Sequence, residues 1–385
     1  MGDLWHSAKR RVAARNTRLS VVAAGDCPGR SLDRYIGPVL EAAGPLRGRF
    51  VDVCGWDGAL AAAVAASTDN ASGACNSHLI GSVRSARANL KGTGCEVRPV
   101  YGIEPAQTES FDVAFIRAPY WLGNGAVRAL IHAALLSLRK DGEAYLAGER
   151  SRGFDTFARM FDGAFGGSER VGVPGRVRVV RARRTTGQRI PGPVFASEFG
   201  EYGAKVSGWN LRVARHPAVF ADGRVDDATR MLIDCLPEST GRQLDLGCGS
   251  GLVAAAMARK SPQSRIMAVD SNLAAVEVCT RTAELNGLTN VNVRPSYFGE
   301  ELRSGSFDVI GCYPPFHVGP GVSHDAARRL IREAARLLKP TGEFVVVQGS
   351  AQSHEGLLRK WFGQVRELAR SRSNRVYGCS YPRAD

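Results

Sequence analysis

At 385 residues, 44% hydrophobic and 23% charged, the chain exceeds one ordinary core and suits two domains of roughly 150 to 200 residues. No run of about 18 apolar residues is present to span a bilayer, and nine cysteines without a C-x-x-C pair argue against a disulfide framework or a zinc site and for a reducing, cytoplasmic setting. The net charge of +14 favours a polyanionic partner, although Arg-, Ala- and Gly-rich usage also follows from a GC-rich genome.

In chain order, Met1 to Ser7 runs straight into Lys9, Arg10 and Arg11 with no apolar segment, so no secretory leader is expected, and His6 breaks the myristoylation pattern. Arg15 and Arg18 complete a first basic cluster. A glycine turn, Val51-Asp-Val-Cys-Gly-Trp-Asp-Gly58, comes next, then Ser110-Phe-Asp-Val-Ala-Phe-Ile-Arg-Ala-Pro-Tyr-Trp121 and an apolar stripe from Leu130 to Glu143. A second basic cluster follows at Arg176, Arg178, Arg181, Arg183 and Arg184.

Gly187, Pro191, Gly192, Pro193, Phe199, Tyr202 and Trp209 mark a connector, placed at 185–212 between domains at 1–184 and 213–385. Leu211 to Phe220 is a candidate strand opening the second domain. There the same phrases recur: Asp245-Leu-Gly-Cys-Gly-Ser-Gly251 matches Asp52 to Gly58, and Ser306 to Gly319 matches Ser110 to Gly123. Periodicity predicts strands at 242–246, 265–269, 291–294, 309–312 and 344–347, and helices at 252–259, 274–286 and 330–338. Alternation of this kind implies a mostly parallel sheet with helices on both faces. A last basic cluster is Arg370, Arg372 and Arg375.

Asp245 to Gly251 follows a strand and opens a helix, where glycines let backbone approach a ligand. Asp270 ends the next strand, where a carboxylate can accept hydrogen bonds from a ribose diol. Dinucleotide and S-adenosylmethionine (SAM) binding both fit this much. The turn lacks G-x-G-x-x-G spacing, and Tyr313-Pro314-Pro315-Phe316 resembles the N-P-P-[FY] motif of amino-directed methyltransferases, so SAM is favoured.

On these motifs, and on His216-Pro-Ala-Val-Phe220 followed by Asp226-Asp-Ala-Thr229, the chain resembles the RsmC and RlmG family of ribosomal RNA guanine-N2 methyltransferases. The resemblance implies two tandem Rossmann-like class I methyltransferase domains, each a mostly parallel seven-stranded sheet, with a degenerate first copy. It implies that Asp245, Gly247, Gly249 and Gly251 line the SAM amino acid and sulfonium, that Asp270 with Ser271 takes the ribose, and that Ser296 or Tyr297 meets the adenine. Phe220 is either core or a lid over the cofactor. Tyr313, Pro314, Pro315 and Phe316 would hold the target base, with Phe316 stacking on it; His317 is expected to be structural.

Tyr313 stands where the family has Asn, which replaces a short acceptor with a hydroxyl and a ring face and makes adenine N1 an alternative to guanine N2. It also raises the expectation of resistance to a ribosome-targeting antibiotic. The expected partner is ribosomal RNA or a ribosomal subunit, bound by the three basic clusters, with no membrane, no metal and a monomeric chain. The competing readings are N-methylation of a small molecule or peptide, and an inactive RNA-binding protein. In the first copy Cys54 and Trp56 stand at the positions of Gly247 and Gly249, and Arg117-Ala-Pro-Tyr120 at that of Tyr-Pro-Pro-Phe. No SAM binding is expected there; support of the second domain and an extended RNA surface are.

Overall fold

The computed structural model describes residues 7–14, 17–24, 28–68, 72–101, 108–172, 175–185, 199–220, 223–314, 317–318, 321–322, 324–350 and 354–383. The chain divides into two compact units, Met1–Glu198 with Gly319–Gly321, and Phe199–Val318 with Val322–Asp385.

The first unit opens with a hairpin, β1 (Ser7–Ala14) and β2 (Thr17–Ala24), followed by α1 (Ile36–Ala43). It continues through β3 (Arg49–Asp52), α2 (Ala59–Ser67), β4 (Ser72–Asn76), α3 (Ile80–Asn89), β5 (Gly94–Arg98), β6 (Phe111–Arg117), α4 (Gly123–Ser137), β7 (Leu138–Glu149), α5 (Phe154–Phe165), β8 (Glu169–Val171) and β9 (Val177–Arg183).

The second unit repeats the plan. A hairpin, β10 (Gly200–Val206) and β11 (Trp209–Arg215), leads to α6 (Asp227–Cys235), β12 (Arg242–Leu246), α7 (Leu252–Lys260), β13 (Arg265–Asp270), α8 (Leu273–Leu285), β14 (Val291–Pro295) and β15 (Phe307–Cys312). After the short β16 (His317–Val318) and β17 (Gly321–Val322) come α9 (His324–Leu337), β18 (Leu338–Gly349), α10 (Glu355–Trp361), β19 (Phe362–Arg370) and β20 (Asn374–Pro382).

The two main sheets have corresponding orders, β5-β4-β3-β6-β7-β9-β8 and β14-β13-β12-β15-β18-β20-β19. In each, the penultimate strand runs antiparallel to its neighbours and the other pairs are parallel. Because strand order reverses at β12, successive crossovers fall on opposite faces and a crevice opens between the C-terminal ends of β12 and β15. Small contacts are duplicated too: the Arg49 N–H donates to Asp112 at 2.6 Å, and the Arg242 N–H to Asp308 at 2.8 Å.

The hairpin corrects the expected connector. Residues 200–206 and 209–215 pair with each other and pack Ala204, Val206, Leu211 and Val213 into the second unit's core, so this unit begins near 199 and no strand runs on to Phe220. Gly and aromatic content misled here because alternation, not composition, sets a strand's buried face. The other strands and helices lie where periodicity puts them, within a few residues, except that β18 starts directly at Leu338 and runs through Pro340.

Candidate functional site

The site grows from the end of β12. Asp245 is buried, and its Oδ2 accepts the Ala254 N–H at 2.9 Å, fastening the turn to the first residues of α7. Burial pushes this carboxyl up to about 7, against the lowering effect of the Ala254 N–H and with a further rise from Asp270. Gly247 and Gly249 have φ of 92° and 50°, and a Cβ on either would stand in open space. Such conformations cost an L-side chain about 1 kcal/mol or more. The backbone conformation thus favours glycine at both positions, and the space above them is open.

Gly251, expected to line the cofactor, is also a close-packing position. A Cβ there would lie 2.8 Å from Cys279 Sγ and 2.9 Å from Cys279 Cα, so this glycine lets α8 pack against the turn. Gly58 repeats the arrangement against Ala86 of α3.

At the end of β13, Asp270 Oδ2 accepts the Gly249 N–H at 3.0 Å and Oδ1 accepts the Asn272 N–H at 2.8 Å, with the Ser271 N–H also directed to the carboxyl. Burial raises its pKa, opposed by these three N–H donors. A carboxylate offers about four acceptor positions, so one remains for a ribose hydroxyl. Asn272 was not singled out from sequence. Its side chain caps α8 through Ala274 N–H (3.0 Å) and donates to the Ala218 carbonyl at 2.9 Å, linking the carboxylate to the segment that carries Phe220. The legible signal was its N-cap position after a strand.

Phe220 is not core: it is 70% exposed and meets Tyr313 edge to face at 5.9 Å. Tyr313 follows β15 across the crevice and is half-buried; burial, then the Asp226 charge, pushes its phenol up to about 12. It is therefore neutral at pH 7, able to donate or accept a hydrogen bond but not to act as a phenolate. Asp226 caps α6 by accepting the Thr229 N–H at 2.7 Å. Pro314 is buried beside Tyr313, whereas Pro315 and Phe316, and the side chain of His317, lie outside the described residues.

Ser296 and Tyr297, expected at the adenine, are both buried in the loop after β14. Ser296 Oγ accepts the Gly299 N–H at 2.8 Å, and Tyr297 is buried beneath Arg329, whose guanidinium sits 4.5 Å from its ring centroid. Both side chains serve the packing of the loop after β14.

In the first unit the corresponding crevice is filled. Trp56 has φ of 51°, matching Gly249, and is buried with its ring 4.9 Å from His78 and 5.8 Å from Trp121. Arg117, at the position of Tyr313, is fully buried and donates to Asp52 Oδ2 at 3.0 Å and to the Gly55 carbonyl at 3.2 Å, bridging β6 to β3.

The basic clusters fare unevenly. Arg184 is buried, bonded to the Leu138 carbonyl and to Glu109, and is a structural clamp, not a surface cation. Arg181 and Arg183 pair with Glu169 and Glu143, and Arg370 and Arg375 with Glu367, while Arg176 and Arg372 are exposed and Arg178 is half-exposed. Arg15 and the side chains of Lys9, Arg10, Arg11 and Arg18 lie outside the described residues. Among the described residues no helix is long and apolar enough to cross a membrane, and no group of three or more His, Cys, Asp or Glu side chains could hold a metal.

Residues 210–378 match the family described as Methyltransferase small domain. The chain is 37% identical over 172 residues to a ribosomal RNA small subunit methyltransferase C of Chromohalobacter salexigens, covering 43% of this chain and 50% of that one. A protein of the same name from Shewanella amazonensis is 26% identical over 277 residues, covering 72% and 80%. Against the more identical of these two relatives, the chain thus spans about half of the relative's length. A T. thermophilus 16S rRNA N2-guanine methyltransferase (RsmC), solved with AdoMet and guanosine, superposes with a TM-score of 0.81 over 97% of this chain and 98% of that chain at 22% identity. Most of the second unit thus matches the methyltransferase small domain family, and the two units together share the tandem fold of that structure.

Proposed function

We propose that this protein is a SAM-dependent methyltransferase of small-subunit ribosomal RNA that modifies a base nitrogen. The observation that carries the reading is the cradle of the second unit, where Gly247 and Gly249 hold left-handed turns in open space and Asp270 is fixed beside them by the Gly249 and Asn272 N–H groups. SAM supplies an electrophilic methyl on sulfur. The residues fit such a group, with Gly247 and Gly249 facing its amino acid and sulfonium and Asp270 its ribose. Phe220 and Tyr313 form an aromatic wall beside this place.

Transfer breaks the S–CH3 bond, forms an N–CH3 bond and leaves the base nitrogen with a positive charge. What the chain must do is align the lone pair with the methyl group, a positional effect worth several kcal/mol. A base buried in folded RNA must first leave its stack, at a cost of a few kcal/mol.

Guanine N2 is the favoured target, after the name of the T. thermophilus enzyme. At that nitrogen a proton must also pass to solvent after transfer, and a neutral Tyr313 hydroxyl can accept a hydrogen bond from the amino group without taking the proton itself. Tyr313 gives adenine N1 a specific claim, because a ring nitrogen already offers its lone pair. Transfer of labelled methyl from SAM to small subunits or naked 16S rRNA tests the activity, and no transfer to either substrate overturns it. Primer extension on the product separates the targets: a hard stop marks a methyl on the Watson-Crick face such as adenine N1, and read-through favours guanine N2. A resistance phenotype on expression, with such a stop, would attach the antibiotic role to the second target. Cytoplasmic residence and action as a monomer complete the reading.

A further inference from the structure

A cleft of about 560 Å³ lies on the first unit, between α5 and the β8–β9 edge of its sheet. Two periodicities build it. Along α5, Phe154, Phe157, Phe161 and Phe165 face the core, which turns Asp155, Ala158, Arg159 and Asp162 outward as one stripe at helical spacing. On the sheet, Arg170 pairs directly with Val180, and side chains two apart share a face, so Arg170, Arg178 and Val180 line the cleft together. Arg181 and Arg183 leave by the other face, toward Glu169 and Glu143.

Arg150 also lines the cleft, which makes four guanidinium groups against two carboxylates. The carboxylates are already engaged. Asp155 lies between Arg150 at 3.4 Å and Arg170 at 3.6 Å, and Asp162 accepts the Ser168 hydroxyl at 2.9 Å. Arg159 is held by a neutral acceptor, Thr156 Oγ1, at 3.1 Å. Ion pairs as exposed and long as those of Asp155 are worth at most about 1 kcal/mol, so they orient the guanidinium groups without quenching them. The surplus positive charge is that of a site for a polyanion, and guanidinium forks match phosphate oxygens in pairs.

No aromatic side chain is among the lining residues, so base stacking has no platform here and recognition is of backbone. We propose that this cleft holds the sugar-phosphate backbone of the RNA substrate, making the unit with the filled crevice an anchoring module. The proposal rests on the reading of the chain as an RNA methyltransferase and adds to it a site, a ligand chemistry and a division of labour between the units.

The test uses the full chain, SAM and a 16S rRNA transcript, with RNA affinity measured from about 50 to 200 mM salt. The pair Arg159→Ala with Arg178→Ala should raise KM for RNA about tenfold and flatten the slope of log K against log salt by about one to two. Its kcat at saturating RNA and its SAM affinity by calorimetry should stay within about twofold. Arg159→Lys with Arg178→Lys should recover most of the salt slope, since lysine keeps the charge. Arg159→Glu, at an exposed helix position, reads the same KM effect independently of the sheet should the alanine pair lose SAM affinity through misfolding. Wild-type salt slope and KM in the alanine pair or in Arg159→Glu would overturn the cleft while leaving the enzyme reading intact. Failure of the wild-type chain to bind the transcript at all would instead remove the RNA reading beneath it.

Discussion

Gly249 and Trp56 share one left-handed backbone, with φ of 50° and 51°, and have opposite surroundings. For Trp56 the strain of about 1 to 2 kcal/mol is outweighed by burial of an indole of about 150 to 250 Å², worth about 4 to 6 kcal/mol at 25 cal/mol per Å². For Gly249 the space is left open. Gly249→Ala should therefore cost only about 1 kcal/mol of stability yet weaken SAM binding at least tenfold by calorimetry, because its Cβ enters the cradle. Asp270→Asn removes the charge that strengthens its N–H bonds from Gly249, Asn272 and Ser271, each worth about 1.5 to 3 kcal/mol, and should weaken SAM binding roughly 10- to 100-fold with RNA affinity unchanged. Asp245 carries a pH signature. Its folded pKa of about 7 lies above its ordinary 3.8, so the folded chain holds this proton more tightly than the unfolded chain does. Its contribution to stability is greatest below about pH 4, is lost as pH rises toward 7 and is level above that. Thermal melting of Asp245→Asn should lack that decline.

Among elements, the packing of α8 on the glycine turn is what Gly251 permits. Gly251→Ala should destabilise the fold by about 1 to 3 kcal/mol, and pairing it with Cys279→Ala should recover part of that loss in a melting curve. The contrast with Gly249→Ala separates a glycine that packs against α8 from one whose Cβ would meet open space. Sequence spacing could not do so, since both residues sit in the same G-x-G-x-G phrase and only the approach of α8 distinguishes them. The arginines after position 175 pose the same problem. A run of charges looks like one surface until the pleat sends Arg178 to one face and Arg181 with Arg183 to the other, and buries Arg184 against Leu138 and Glu109. Asn272 was legible only as a helix cap; its bond to the Ala218 carbonyl joins segments 54 residues apart.

At the scale of the whole molecule, one fold is used twice with its crevice in two states. Trp56 and the Arg117–Asp52 bridge occupy the first, so calorimetry should find one SAM bound per chain. Trp56→Gly should lower stability by about 3 to 5 kcal/mol, as the loss of a large buried side chain does, without raising that stoichiometry, because Arg117 still spans the crevice. By itself the sequence determined the duplication, the α/β alternation, the glycine turn with its carboxylate, and the loss of that turn in the first copy, since these depend on local periodicity and on residue types that admit few backbone conformations. Only the tertiary structure decided which glycine has open space at its Cβ, that Tyr297 belongs to the interior and Phe220 to the surface, and which arginines line the cleft beside α5. Those outcomes depend on which distant segment packs against each residue, and no spacing along the chain encodes that contact.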